Sequence, residues 1–301
     1  MKNILDYYYH FANISLHYSN GIYSFEKDNS FYLFKEVTRS IGEMREIYQL
    51  LQVRSNYYHK IILNKDRQFI TWVDQKAYVL LQVKIVNSDP FLPEYLFKRE
   101  EGLEHINPSS SLTRTNWADL WSRKIDYYEY QIEHIEKKYP LLASSIYYYI
   151  GLAENAISYV MDSNLHEKKE PRDQLTFSHI RLYVSTTSMD YYDPSTIILD
   201  HVSRDIAGYL KSAFFDDVYQ EREIQILLQR AQLSRYGYRL LIGRMLYPSY
   251  YFDLYDQIII GRKEEKEMKR IMMRAEEYRK YVKMIYHYIN EIVEIPKIDW
   301  L

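Results

Sequence analysis

At 301 residues, with 39 basic and 41 acidic side chains, the chain can bury a substantial core as one two-lobed unit or two small domains. Its net charge of −2 gives no bulk attraction to nucleic acid or to an anionic membrane surface. It contains no cysteine, which excludes disulfides, thiolate zinc sites and a cysteine nucleophile and fits a cytosolic setting.

The segment Met1–Asp6 has no long apolar run, so no secretory signal is expected. Helical spacing of Ile4, Tyr8 and Phe11 predicts a short amphipathic helix within residues 1–15. Strands are predicted at Ile14–His17, Gly21–Glu26 and Ser30–Val37, separated by the turn-forming Ser19-Asn20-Gly21 and Lys27-Asp28-Asn29. Ile41, Met44, Ile47, Leu50 and Leu51 share one face of a predicted helix over Thr38–Val53, and further strands follow at Tyr58–Leu63, Gln68–Val73 and Ala77–Ile85. An antiparallel sheet of about five strands with one inserted helix is the layout of a kinase N-lobe. The linker Asn87–Pro93, with two prolines in a turn cluster, sets the expected boundary between an N-lobe (1–87) and a C-lobe (88–301).

Beyond that linker the pattern is helical. Asn116 is a candidate cap for a helix running to Tyr139, with Trp117, Leu120, Trp121, Lys124/Ile125, Tyr128, Ile132 and Ile135 on its buried face. Leu141–Asp162 is apolar nearly all round; Glu154 and Asn155 interrupt it, which argues for a central buried helix rather than a membrane span. Leu175–Val184 is strand-like, and helices are expected at 219–232, 234–247, 249–260 and 263–294. The 34 tyrosines come in runs such as Tyr127-Tyr128 and Tyr147-Tyr148-Tyr149. Adjacent positions on a helix point in different directions, so such runs suit half-buried packing sites better than one shared cross-linking face.

The chain is organised around Ile197–Ser212. Ile197, Ile198 and Leu199 read as a strand buried on both faces, ending in Asp200; Ser203 is a candidate N-cap, with Asp205 in the first helical turn. A small-molecule kinase needs a lysine on the phosphates, an acid holding it, a catalytic base and a metal-binding acid. Lys35 stands on the third predicted strand, with Glu43 and Glu46 on the next helix as candidate partners for nucleotide phosphate contacts. Only Gly21 marks the turn where a glycine-rich phosphate loop would lie. Asp200 is the candidate Mg²⁺ ligand, although a lone strand-end acid holds Mg²⁺ poorly; its other reading, like that of Asp205, is structural.

Asp200 and Asp205 resemble the metal-binding strand and the later Asp-[Leu/Ile]-Ala of the aminoglycoside-phosphotransferase and choline-kinase branch of the protein-kinase-like fold. In that branch the second acid braces a His-Gly-Asp catalytic loop. Here the corresponding segment is Phe177-Ser178-His179-Ile180-Arg181, with Arg181 in the place of the base and Thr186 in the place of the metal-binding Asn. A guanidinium cannot accept a proton. Asp190 or Asp193 would have to substitute. There is no Gly-x-Ser-x-Gly elbow, Walker A loop or His-Glu-x-x-His motif.

Three stretches, Tyr148–Tyr159, Asp200–Ala207 and Leu246–Phe252, are similar to the YutH-type endospore coat-associated proteins, relatives of the CotS kinase-like coat proteins. That resemblance implies an α+β, protein-kinase-like fold with a small antiparallel-sheet N-lobe and a larger helical C-lobe. It also implies a degenerate active site, a mother-cell cytoplasmic protein associated with the spore coat, and other coat proteins as partners. No cofactor is implied unless the chain is an active small-molecule phosphotransferase, which would use ATP and Mg²⁺.

Overall fold

The computed structural model describes residues 1–54, 58–84, 96 and 110–301. The expected linker Asn87–Pro93 lies outside the described residues. Helix α1 (Lys2–Tyr9) precedes β1 (His17–Ser19), β2 (Ile22–Lys27), β3 (Ser30–Glu36), α2 (Ile41–Arg54), β4 (Lys60–Ile62), β5 (Thr71–Val73) and β6 (Lys76–Val83). These strands form one antiparallel sheet in the order β1-β2-β3-β6-β4, with β5 also paired to β6. Its N-terminal helix is shorter than expected because His10 takes a left-handed conformation and turns its amide back onto the Asp6 and Leu5 carbonyls.

Strand alternation sorts the sheet's two faces. Tyr32, Phe34, Tyr78 and Leu80 pack with Leu5 and Tyr9 of α1 on one side. Leu33, Val79 and Leu81 face the other way and join Met44 and Ile47 of α2 in the main core, which continues into the helical half. Lys35 shares the parity of Leu33 and sits opposite Val79, so it is delivered to the inner face.

The C-terminal part contains α3 (Trp117–Ile135), α4 (Pro140–His166), β7 (Thr176–His179), α5 (Ser188–Tyr191), β8 (Ile197–Asp200), α6 (Ser203–Phe215), α7 (Glu221–Ala231), α8 (Arg235–Leu246), α9 (Ser249–Ile259), α10 (Met268–Met273) and α11 (Ala275–Ile292). Helix α4 is not enclosed all round as expected: one face packs against α3 and α8, while Tyr147, Tyr148, Met161 and Leu165 lie exposed on the other. Pro140 opens it, and the Glu265 carboxylate accepts from the exposed amides of Leu141 and Leu142 at 2.8 and 3.1 Å. Among the described residues no helix is long and apolar enough to cross a membrane. The expected helix 263–294 is broken at Arg274, whose guanidinium leaves the helical surface to accept duty at the end of α6, donating to the Phe214 and Phe215 carbonyls. Ser203 is not the N-cap of α6 but its first helical residue, with Val202 before it.

Tyrosine runs split between core and solvent: Tyr147 and Tyr148 are exposed while Tyr149 is buried, and Tyr127 is exposed while Tyr128 is buried. Helix α8 approaches α4 through Gly243, where an added Cβ would lie 2.4 Å from Val160 Cγ2. Gly243→Ala is therefore expected to cost about 1–3 kcal/mol through forced repacking, read as a lower urea midpoint. A midpoint equal to wild type would show that this helix pair can part at no cost.

Candidate functional site

The site is built on a two-stranded ribbon. β7 and β8 pair antiparallel, with Thr176 opposite Asp200 and His179 opposite Ile197. On its other edge β8 exchanges backbone hydrogen bonds with residues 112–114, so the apolar run is enclosed on both sides. This geometry puts Asp200 at the buried end of the ribbon.

Asp200 is fully buried and every direction of its carboxylate is filled. The Trp117 indole donates to both oxygens at 2.8 and 2.9 Å, and the His201 amide donates to Oδ1 at 2.8 Å. Arg204 and Arg244 both donate to Oδ2, at 2.8 and 2.7 Å. Arg244 also lies flat over Trp117, 3.2 Å from the ring centre. Arg204 sits one helical turn after Asp200 in sequence, and that spacing was readable; Arg244 comes from α8, far along the chain, and carried no local signal.

Asp205 reaches back to the ribbon. Its Oδ1 accepts from the His179 amide at 3.0 Å and its Oδ2 lies 2.7 Å from His179 Nδ1. His179 Nε2 lies 2.9 Å from the Tyr191 carbonyl, so neither ring nitrogen is free to act as a base. Two residues on, Arg181 forms a two-pronged pair with Asp253 at 2.6 and 3.1 Å. Burial works against the Arg181 charge, but Asp253 more than offsets it and holds the guanidinium above its ordinary pKa.

Lys35 does not meet Glu43, Glu46 or Asp200. It pairs with Asp193 and donates to Ser195 Oγ at 3.1 Å. Glu43 is taken instead by Arg39 and Arg114, at 3.3 and 2.7 Å, and Glu46 accepts from Ser110 Oγ at 2.6 Å. Arg39 also donates to the Ser195 and Ile197 carbonyls, and His59 contacts the Tyr192 and Met189 carbonyls. The sheet is thus fastened onto segment 189–197 through Lys35, Arg39 and His59. Asp190 caps α5 by pairing with Thr187 and lies outside this contact.

A further buried chain runs from Ser203 Oγ to His201 Nδ1 at 2.8 Å and from His201 Nε2 to Asp173 at 3.2 Å. It mimics a hydrolase relay, but Ser203 is fully buried. The relay has no access to substrate. It clamps β8 to the start of α8, where Ser234 also donates to Asp173 at 2.5 Å.

The carboxylates present do not fit Mg²⁺. That ion asks for several oxygen ligands in octahedral array, whereas Asp200 is saturated by cations and an indole, and Asp193 by Lys35 and Ser195. Among the described residues no three acidic or histidine side chains group as a metal site.

A small antiparallel sheet fastened to a helical half through a β3 lysine defines the class: the fold is that of the aminoglycoside-phosphotransferase-like kinases. The structure matches an aminoglycoside phosphotransferase from Alicyclobacillus acidocaldarius with a TM-score of 0.63 at 12% identity, over 97% of this chain and 96% of that one. It matches the AMP-bound spectinomycin phosphotransferase with a TM-score of 0.60 at 11% identity, over 95% and 96%. At such identities the likeness establishes the fold alone. The family described as "Spore coat putative kinase YutH" matches residues 2–291, and the chain belongs to that family. The endospore coat-associated protein YutH of Bacillus subtilis strain 168 is 26% identical over 327 residues, covering 97% of this chain and 95% of that protein.

Burial pushes the Asp193 carboxyl up, but Lys35 and Ser195 outweigh this and hold it below the usual carboxylate range. A depressed folded pKa adds stability that is present above the unfolded value of about 3.9 and is lost as pH falls through the folded one. Asp193→Asn is accordingly expected to cost about 3 kcal/mol at pH 7, and less as the pH drops below about 4. Urea unfolding across that range checks it; a gap that does not narrow in acid would show that the ion pair is not its source.

Proposed function

We infer that this chain is a kinase-fold protein that does not transfer phosphate and that serves endospore coat assembly through contacts with other coat proteins. It is made in the mother-cell cytoplasm and taken up by the coat. Family membership and the similarity to the Bacillus subtilis coat-associated protein support the setting. The observation that carries the inactive reading is Arg181. The loop braced by Asp205 presents a guanidinium tied to Asp253 at the place where a phosphotransferase needs a carboxylate to take the substrate's proton. With its pKa above ~12, that group accepts no proton at any physiological pH.

Asp200 in this reading is a structural carboxylate rather than a metal ligand, Asp205 is a loop brace, and His179 is a satisfied core histidine. A second reading has one observation in its favour. The Lys35–Asp193 pair links the sheet to the helical half, where ATP would lie in a phosphotransferase, although Glu43 and Glu46 are held by other partners. Under it the chain is an ATP- and Mg²⁺-dependent phosphotransferase for a small hydroxylated or amine substrate.

The two readings part on Lys35. The purified protein, incubated with γ-labelled ATP, Mg²⁺ and a panel of aminoglycosides, choline and spore-coat extract, is expected to transfer no more label than a protein-free blank. In the native spore-former, Lys35→Met is expected to support coat assembly as well as wild type when its level, checked by immunoblot, is equal. Label transfer that Lys35→Met abolishes would establish the phosphotransferase instead.

A further inference from the structure

A cavity of about 610 Å³ opens beside the Arg181 loop, walled by α3, α6, α8 and α9. That is the size of a small-molecule site. Its charge is unbalanced in one direction. The carboxylates of the wall are mostly spoken for: Asp205 by His179, Asp253 by Arg181 and Glu267 by Lys263, with Asp216 at the exposed mouth. Against the single carboxylate of Asp200 stand Arg204, Arg244 and Lys211.

Lys211 is the telling residue. Its Nζ donates to the Tyr247 carbonyl at 2.7 Å and to Ser249 Oγ at 3.0 Å, and it forms no salt bridge among the described residues. Burial pulls its pKa well below that of an ordinary lysine, and Arg244 pulls it further, while the carboxylate of Asp253 works the other way without offsetting them. A buried amine with no carboxylate bonded to it avoids that cost by giving up its proton, and an anion bound beside it would restore the charge.

The rest of the wall is aromatic. Trp121 stacks on Tyr247 with ring centres 4.2 Å apart, and Trp117 stacks on Trp121 at 5.9 Å. Arg204 and Arg244 share the one carboxylate of Asp200, and Lys211 stands ready to take up a proton beside them, which suits a group carrying more than one negative charge. A phosphate monoester does so near neutral pH; a carboxylate does not.

We propose that this cavity binds a small phosphate monoester, with its phosphate against Lys211 and Arg244 and an apolar or planar body against Trp121 and Tyr247. The site is independent of the cleft at Lys35 and does not require that nucleotide binds there.

Isothermal titration with phenyl phosphate, without nucleotide or Mg²⁺, tests it. Wild-type protein is expected to bind phenyl phosphate at millimolar concentration or below, at least about tenfold more tightly than phenol or benzylamine. Inorganic phosphate should bind more weakly than phenyl phosphate, because it lacks the stacking body. Lys211→Met is expected to weaken phenyl phosphate by about tenfold or more while the variant still melts cooperatively. The proposal fails if wild type shows no binding at millimolar phenyl phosphate, if phenol or benzylamine binds as well, or if Lys211→Met leaves the affinity unchanged. Should that variant not fold, the wild-type ligand series decides alone.

Discussion

A single carboxylate joins the helical half of this protein. Asp200 lies in the dark end of the β7–β8 ribbon, and through its two oxygens it connects β8 to α3 by Trp117, to α6 by Arg204 and to α8 by Arg244. Each ion moved out of water carries a desolvation cost of several kcal/mol, recovered only when geometry and partners are complete. Here they are complete for the carboxylate and for Arg204, while Arg244 keeps a buried Nε with no partner. That asymmetry fixes Asp200 in place and leaves the adjoining cavity positively charged.

The same arrangement separates two jobs that one strand-end acid and one lysine perform together in a phosphotransferase. The lysine of β3 closes onto Asp193, and with Arg39 and His59 it fastens the sheet to the helical half. The acid at the end of β8 faces away from that contact into its cage. Asp205 braces the loop at His179, and two residues on Arg181 is anchored to Asp253.

Much of the fold was legible because period and burial agree. Strand alternation around Lys35 and the apolar run Ile197–Leu199 lie where their patterns put them, whereas the apolar pattern of α4 overstated its burial because tyrosines and Met161 on one side face solvent. What was not legible was long-range charge pairing. Glu43 and Glu46 have the spacing of lysine partners, yet Arg39, Arg114 and Ser110 lie closer in space and take them. Arg244 and Lys211 are unremarkable in a helical pattern and acquire meaning only when α6 and α8 close around one cavity. The contact of Arg274 with the carbonyls ending α6 is likewise made with a distant segment.

The measurement that bears most directly on this account is urea unfolding of wild type and Asp200→Ala, each in millimolar Mg²⁺ and in chelator. With Asp200 as a caged structural ion, its removal strands two buried guanidiniums and costs about 3–5 kcal/mol, while wild type unfolds at the same midpoint with or without Mg²⁺. A wild-type midpoint that Mg²⁺ raises, and a rise that vanishes in Asp200→Ala, would show instead that this carboxylate holds the metal.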